Sequence, residues 1–242
     1  DRLKDNMWGY NRHTDQTVNI YSAFLQNEWK NDRWGILIGG RLDKHNMVDN
    51  VIFSPRANLR FNPTQNINLR LSYSSGFRAP QAFDEDMHIE NVGGTVAMIE
   101  RAKDLKEEKS QSFSVSADMY HRFGAFQTNL LIEGFYTRLT DVFVLGKPYD
   151  RGDGILVKTR SNGPGAKVMG LTLEGKVAYL SILQIQAGLT LQRSRYDEPH
   201  KWHDDAPAEK KIFRTPDTYG YFTATCTPVK PLSIALSGTY TG

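Results

Sequence analysis

The sequence predicts an all-β fold: an antiparallel, up-and-down meander of about ten strands that forms part of a transmembrane β-barrel. Three observations predict it. Apolar and polar residues alternate with period two in one segment after another; tight turns and long polar loops take turns between those segments; and aromatic residues collect beside the tight turns.

Each strand follows from the alternation, because successive side chains of a strand point to opposite faces. Ile67-Asn68-Leu69-Arg70-Leu71-Ser72-Tyr73-Ser74 is the cleanest case, apolar at odd positions and polar at even ones. Phe113, Val115, Ala117 and Met119 repeat it against Ser112, Ser114, Ser116 and Asp118. Leu171, Leu173, Val177 and Tyr179 face away from Thr172, Glu174 and Lys176, and Ile185, Ala187, Leu189 and Leu191 from Gln186, Gly188, Thr190 and Gln192. Further strands are expected near 17–29, 34–43, 54–61, 126–141, 218–226 and 232–240. Phe24, Leu131 with Phe135, and Phe222 break the pattern by falling on the face expected to be polar.

The connections carry more information than the strands. Lys30–Arg33, Asn62–Asn66, Arg122–Ala125, Ser181–Gln184 and the Pro228–Pro231 neighbourhood read as tight turns, while 44–53, 75–110, 142–166 and 197–217 are long and polar. Strict short–long alternation has a reason in an outer-membrane barrel, where each hairpin returns tightly on the periplasmic side and loosely outside. Structureless loops beyond about 15 residues argue against most compact domains, and three of these exceed that length. Trp29 and Trp34 bracket the first turn, Phe61 precedes the second, Phe123 and Phe126 flank the third and Tyr179 leads into the fourth. Such aromatics mark the headgroup level of a barrel wall.

The opposite face carries Arg56, Asn58, Arg60, Asn68, Arg70, Glu133, Glu174, Lys176, Gln186 and Gln192. Charges this numerous suit a wide, wet or plugged lumen. A quarter of the 242 residues are charged, yet the formal net charge is only +3, which gives no basic stripe for nucleic acid. The mean hydropathy is −0.51, and no stretch approaches the ~20 apolar residues that a helical membrane span needs. It does not exclude a barrel, whose strands show lipid only every second residue. Cys226 is the single cysteine, so neither an internal disulfide framework nor a cage of several thiolates can form. The chain opens on Asp1-Arg2-Leu3-Lys4 without Met or an apolar signal segment, and reads as an internal fragment.

At Ser54-Pro55-Arg56-Ala57-Asn58-Leu59-Arg60, and after a hairpin at Gly76-Phe77-Arg78-Ala79-Pro80, the chain resembles the barrel of TonB-dependent outer-membrane receptors. Ala23–Trp29 and Gly39–Asp43 look like the preceding hairpin; Glu108–Ser110, Phe135–Asp141, Gly170–Gly175 and Arg214–Asp217 look like the strands that follow, in family order. The resemblance implies that residues 1–242 are part of a 22-stranded barrel standing in the outer membrane of a Gram-negative bacterium, in contact with its lipid. It implies a plug inside that barrel and uptake driven by TonB, both through parts missing from this chain, along with the last strands. The full-length protein is expected to be monomeric and the isolated fragment to self-associate. The cargo implied is a scarce nutrient such as a ferric siderophore, haem or cobalamin. The nearest branch is the siderophore, colicin-receptor and cobalamin group, in a Bacteroidota style of wording.

Two loop clusters are the candidate sites. Phe83, Asp84, Glu85, Asp86 and His88 open the longest loop. Its three consecutive carboxylates can hold Ca²⁺, which takes several oxygen ligands, although the spacing matches no EF-hand and a solvated acidic loop has the same composition. His200, Trp202 and His203 lie in another outer loop, where two imidazoles can ligate a transition metal or haem iron or simply stand in water. Both clusters are candidate contacts for a metal-chelate or cobalamin-like cargo. No other cofactor is indicated. Gly76–Pro80 reads as a strand end at the barrel rim, where Pro stops the ladder. No Gly-x-Ser-x-Gly, His-Glu-x-x-His or phosphate-loop motif is present, and no enzyme is expected. The alternatives are a passive porin and a soluble all-β carbohydrate-binding module.

Overall fold

The computed structural model describes residues 1–8, 12–81, 90–92, 95–201, 207–212 and 215–242. In chain order the strands are β1 (Arg2–Met7), β2 (Arg12–Thr17), β3 (Ile20–Lys30), β4 (Trp34–His45), β5 (Ile52–Thr64), β6 (Ile67–Arg78), β7 (Glu90–Val92), β8 (Thr95–Arg101) and β9 (Glu108–Phe123). They continue as β10 (Phe126–Thr140), β11 (Phe143–Leu145), β12 (Tyr149–Asp150), β13 (Leu156–Asn162), β14 (Ala166–Tyr179), β15 (Leu183–His200), β16 (Glu209–Lys211), β17 (Thr218–Val229) and β18 (Leu232–Thr241). The fold is all-β.

Ten of these form one antiparallel wall in the order β3-β4-β5-β6-β9-β10-β14-β15-β17-β18, with β16 attached to β15. Each of the ten is at least 10 residues long, and a strand tilted about 45° needs roughly 9–11 residues to cross a bilayer. All the tight turns fall at one end. Backbone hydrogen bonds tie them to each other, from Asn62 to Arg33, Tyr120 to Asn66, Leu180 to Ala125 and Thr227 to Ile182. The first turn is held by Asn31, whose Oδ1 accepts from the backbone N–H groups of Arg33 (3.0 Å) and Trp34 (2.8 Å).

Register sorts the side chains. Leu71, Val115, Gly134, Leu171 and Leu191 stand side by side in one row, and Leu69, Ala117, Ile132, Leu173 and Leu189 in the next. Leu25, Leu71 and Val115 are 82%, 51% and 59% exposed. This face is apolar and uncovered, whereas the buried hydrophobic clusters, Val48–Ile52–Ala79 and Val142–Ala166–Tyr196, sit at the loop end. The aromatic residues beside the turns form two groups: the Trp34 and Phe61 rings stack at 4.2 Å, and Phe126 lies 5.5 Å from Phe123 and 4.8 Å from Tyr179.

Three expectations are corrected. Phe222 belongs to the apolar face, opposite Ala187, and its ring covers Gly238 so closely that a Cβ there would come within 2.5 Å. Phe24, Leu131 and Phe135 do lie on the polar face, opposite Arg41, Asp118 and Ser114. The first wall strand begins at Ile20; residues before it form a separate hairpin, β1–β2, closed by the Arg2–Asp15 ion pair. Finally, the long loops are not structureless. β7, β8, β11, β12 and β13 build a second sheet above the wall, in which β8 and β13 run parallel and the buried pair Met98–Val157 forms the centre. Local alternation misses it because its partners come from two different loops.

Candidate functional site

Of the residues singled out as loop sites, Phe83, Asp84, Glu85, Asp86, His88, Trp202 and His203 lie outside the described residues. His200 closes β15, its backbone paired with Glu209 of β16. Among the described residues no group of three or more His, Cys, Asp or Glu side chains is placed to hold a metal ion.

The polar face of the wall carries the more definite chemistry. Arg56 and Arg60 alternate with Asn58 on β5, and Arg60 stands directly opposite Arg70 of β6. Like charges directly opposite are unfavourable, so this pairing asks for an anion. Arg41 nearby is already answered: its Nε donates to Asp43 at 2.7 Å, and Ser22 Oγ donates to the same carboxylate. Arg70 Nε donates to Asn68 Oδ1 at 2.7 Å, an uncharged partner. Arg60 Nε is buried without a hydrogen-bond partner, and its guanidinium lies across Gly35, where a Cβ would meet it at 3.2 Å. Arg56 has no carboxylate partner among the described residues. Three guanidiniums therefore face the same side with no counter-charge on their own strands. Of the other carboxylates of this face, Glu28 is on β3 and Glu133 and Glu174 on β10 and β14, while Asp118 of β9 stands opposite Asn68, diagonal to Arg70, and accepts from Tyr120 and Asn129. Hydroxyl and amide contacts join neighbouring strands along this face, Asn58–Ser72 between β5 and β6, Ser112–Thr137 between β9 and β10, and Thr172–Thr190 between β14 and β15.

Guanidinium presents a planar fork of donors that matches carboxylate-like oxygen pairs. A confined wall of one sign also raises the local concentration of oppositely charged solutes. The alternation exposed each arginine on the polar face, but only the register showed Arg60 opposite Arg70.

The fold has parallels in known proteins. The model of the TonB-dependent receptor-like β-barrel matches residues 3–241. The chain belongs to the TonB-dependent receptor β-barrel family. No curated protein matches it in sequence at a significant level. Among solved structures it is similar to the siderophore receptor PirA of Pseudomonas aeruginosa, with a TM-score of 0.71 and 16% identity over 95% of this chain and 42% of that one. The ferric enterobactin receptor PfeA of Pseudomonas aeruginosa, as its G324V mutant, gives 0.70 and 18% over 96% and 33%. The FrpB iron transporter of Neisseria meningitidis gives 0.65 and 16% over 94% and 33%. The chain thus spans about a third to two fifths of the length of these proteins' chains. The family is one of outer-membrane receptors and transporters, not enzymes. Barrels of this family turn an apolar face to lipid and a polar face to the lumen, and Arg56, Arg60 and Arg70 are on the polar face of this wall.

Proposed function

We propose that this chain forms the wall and outer loops of an outer-membrane receptor that takes up an anionic metal chelate, of the ferric siderophore class, driven by TonB. The observation that carries the reading is the lumenal arginine group Arg56–Arg60–Arg70, uncompensated on its own strands. The similarity to receptors for siderophores and iron supports the same class of cargo. In this reading the loops holding Phe83, Asp84, Glu85, Asp86 and His88, and His200, Trp202 and His203, make the first contacts outside. The arginines then receive the chelate on its way through.

The test uses cells lacking the gene and complemented with the full-length protein. Energised uptake of a ferric tris-catecholate, which is an anionic chelate, should be restored by the wild type. It should fall about tenfold in Arg56→Gln/Arg70→Gln, the loss of roughly 1.4 kcal/mol that one charge-assisted contact supplies. Deleting Pro199–Ala206 should weaken binding at the cell surface. Unchanged uptake in the arginine variant, with the barrel correctly assembled, removes the lumenal arginines from the path. Uptake that persists without proton-motive force points instead to a passive pore.

A further inference from the structure

The loop sheet draws its strands from two separate stretches of chain. β7 and β8 belong to the stretch between β6 and β9, and β11, β12 and β13 to the stretch between β10 and β14. Within each stretch the pairing is slight. β7 and β8 share three residue pairs, β11 and β13 three, and β12 and β13 two. Between the stretches β8 and β13 share five, from Leu156 beside Ala97 to Arg160 beside Arg101. The Ala102 N–H extends that ladder to the Arg160 carbonyl at 2.8 Å.

A two-stranded hairpin is marginal in water, and a sheet needs three or more strands with an apolar face to stand by itself. β7 and β8 alone are such a hairpin. The strands of the second stretch gain little by themselves, because the apolar centre is shared. Met98 comes from one stretch and Val157 from the other, and both are fully buried. Taking either stretch away opens the other's central side chain to water, which the hydrophobic effect opposes.

At the foot of the sheet one side chain spans both stretches. Asn162 Oδ1 accepts from the Lys106 N–H at 2.8 Å. Its Nδ2 donates to the Lys106 carbonyl at 3.1 Å and to the Asp141 carbonyl at 2.8 Å. The amide takes both backbone groups of Lys106, as a neighbouring strand does, and spends its second hydrogen just past the end of β10. Asp141 turns there with φ at 55°. Beside it the Gly163 N–H donates to the Val142 carbonyl, and the Phe143 N–H to Glu108 Oε2 at 2.9 Å. A Cβ on Gly163 would come within 2.7 Å of the Val144 side chain, so glycine lets the two ends of the second stretch approach this closely.

We propose that the two stretches open and close as one cooperative unit, clasped at its foot by Asn162, so that a contact ordering one loop orders the other. Proteins open locally in cooperative units. Here the unit is discontinuous in sequence, because its largest interface lies between loops and not within one. A molecule that binds one loop in its ordered form is then bound more tightly once the other is ordered, since the ordering entropy is lost only once. The coupling does not depend on what the receptor carries.

Hydrogen exchange of the full-length protein in detergent, resolved by mass spectrometry, tests this. In the wild type the amides of β8 and β13 should share one opening constant. Met98→Ala alters only the first stretch, yet it should speed exchange about tenfold in β11, which pairs with β13 and not with β8. Asn162→Ala should speed exchange about tenfold in β8. Asn162→Asp keeps the acceptor for the Lys106 N–H but loses both donors, and should give about threefold. The wall strands β9 and β10 should exchange as in the wild type throughout. Faster exchange confined to β7 and β8 in Met98→Ala overturns the single unit. In Asn162→Ala and Asn162→Asp, an unchanged β8 overturns the clasp. Distinct opening constants for β8 and β13 in the wild type overturn the proposal without any variant, so a variant that fails to fold leaves it testable.

Discussion

Leu180 occupies the turn between β14 and β15 with φ at 50°, a left-handed conformation that leaves its side chain 59% exposed. A non-glycine residue there costs roughly 1–2 kcal/mol, while glycine loses about 0.5–1 kcal/mol of chain entropy. Leu180→Gly should therefore stabilise the folded barrel by about 0.5–1 kcal/mol, read as a higher urea midpoint in refolding into lipid vesicles. Asn31 gives the opposite case. Its Oδ1 holds two backbone N–H groups of the first turn, and Asn31→Ala should cost about 1 kcal/mol in the same titration. Asparagine announces such a turn in the sequence; leucine gives no sign of a left-handed one, because the tightness of the hairpin imposes it. The face of Phe222 is hidden in the sequence for a related reason. Aromatics occupy both faces of β17, with Tyr221 inward, its hydroxyl accepting from Gln186, so only pairing with Ala187 fixes which side is apolar.

At the level of elements, the two faces are the most legible feature, since alternation encodes them directly and a slip of one residue would invert them. Arg placed at Leu173, near the middle of the apolar band, should cost about 2–4 kcal/mol. At Ser116, opposite Glu133 on the lumenal face, the same residue should cost under about 1 kcal/mol. Urea refolding of the two variants compares them, and equal costs would mean that the faces are exchanged. The loop sheet was not legible. β8 and β13 pair in parallel across two loops, and nothing local in Thr95–Arg101 names its partner. Val157→Asp, in the buried centre of that sheet, should untie the loops while leaving the wall folded. Limited trypsin digestion should then cut near Lys103, Lys106 and Arg151 faster than in the wild type, with the wall strands still protected. Unaltered cleavage would show that β8–β13 pairing does not order the loops.

For the whole molecule, the decisive feature is what the wall leaves open. Among the described residues β3 and β18 each pair on one side only, presenting strands of 11 and 10 residues with a free row of N–H and C=O groups. Such edges recruit further strands, and in hydrocarbon every one of these groups must be satisfied, which is why spanning sheets close. The apolar face adds Phe53, Leu71, Val115 and Leu236, all more than half exposed, a surface that water penalises and lipid does not. The chain expressed by itself should therefore need detergent to stay dispersed, or should associate by pairing β3 and β18 with those of other copies. Size-exclusion chromatography with light scattering, with and without detergent, measures this, while far-UV circular dichroism reports whether strands persist. A soluble, strictly monomeric chain of full β content in plain buffer would show that its edges and apolar face need neither lipid nor neighbouring strands, and would favour a freestanding sheet module over a section of barrel wall.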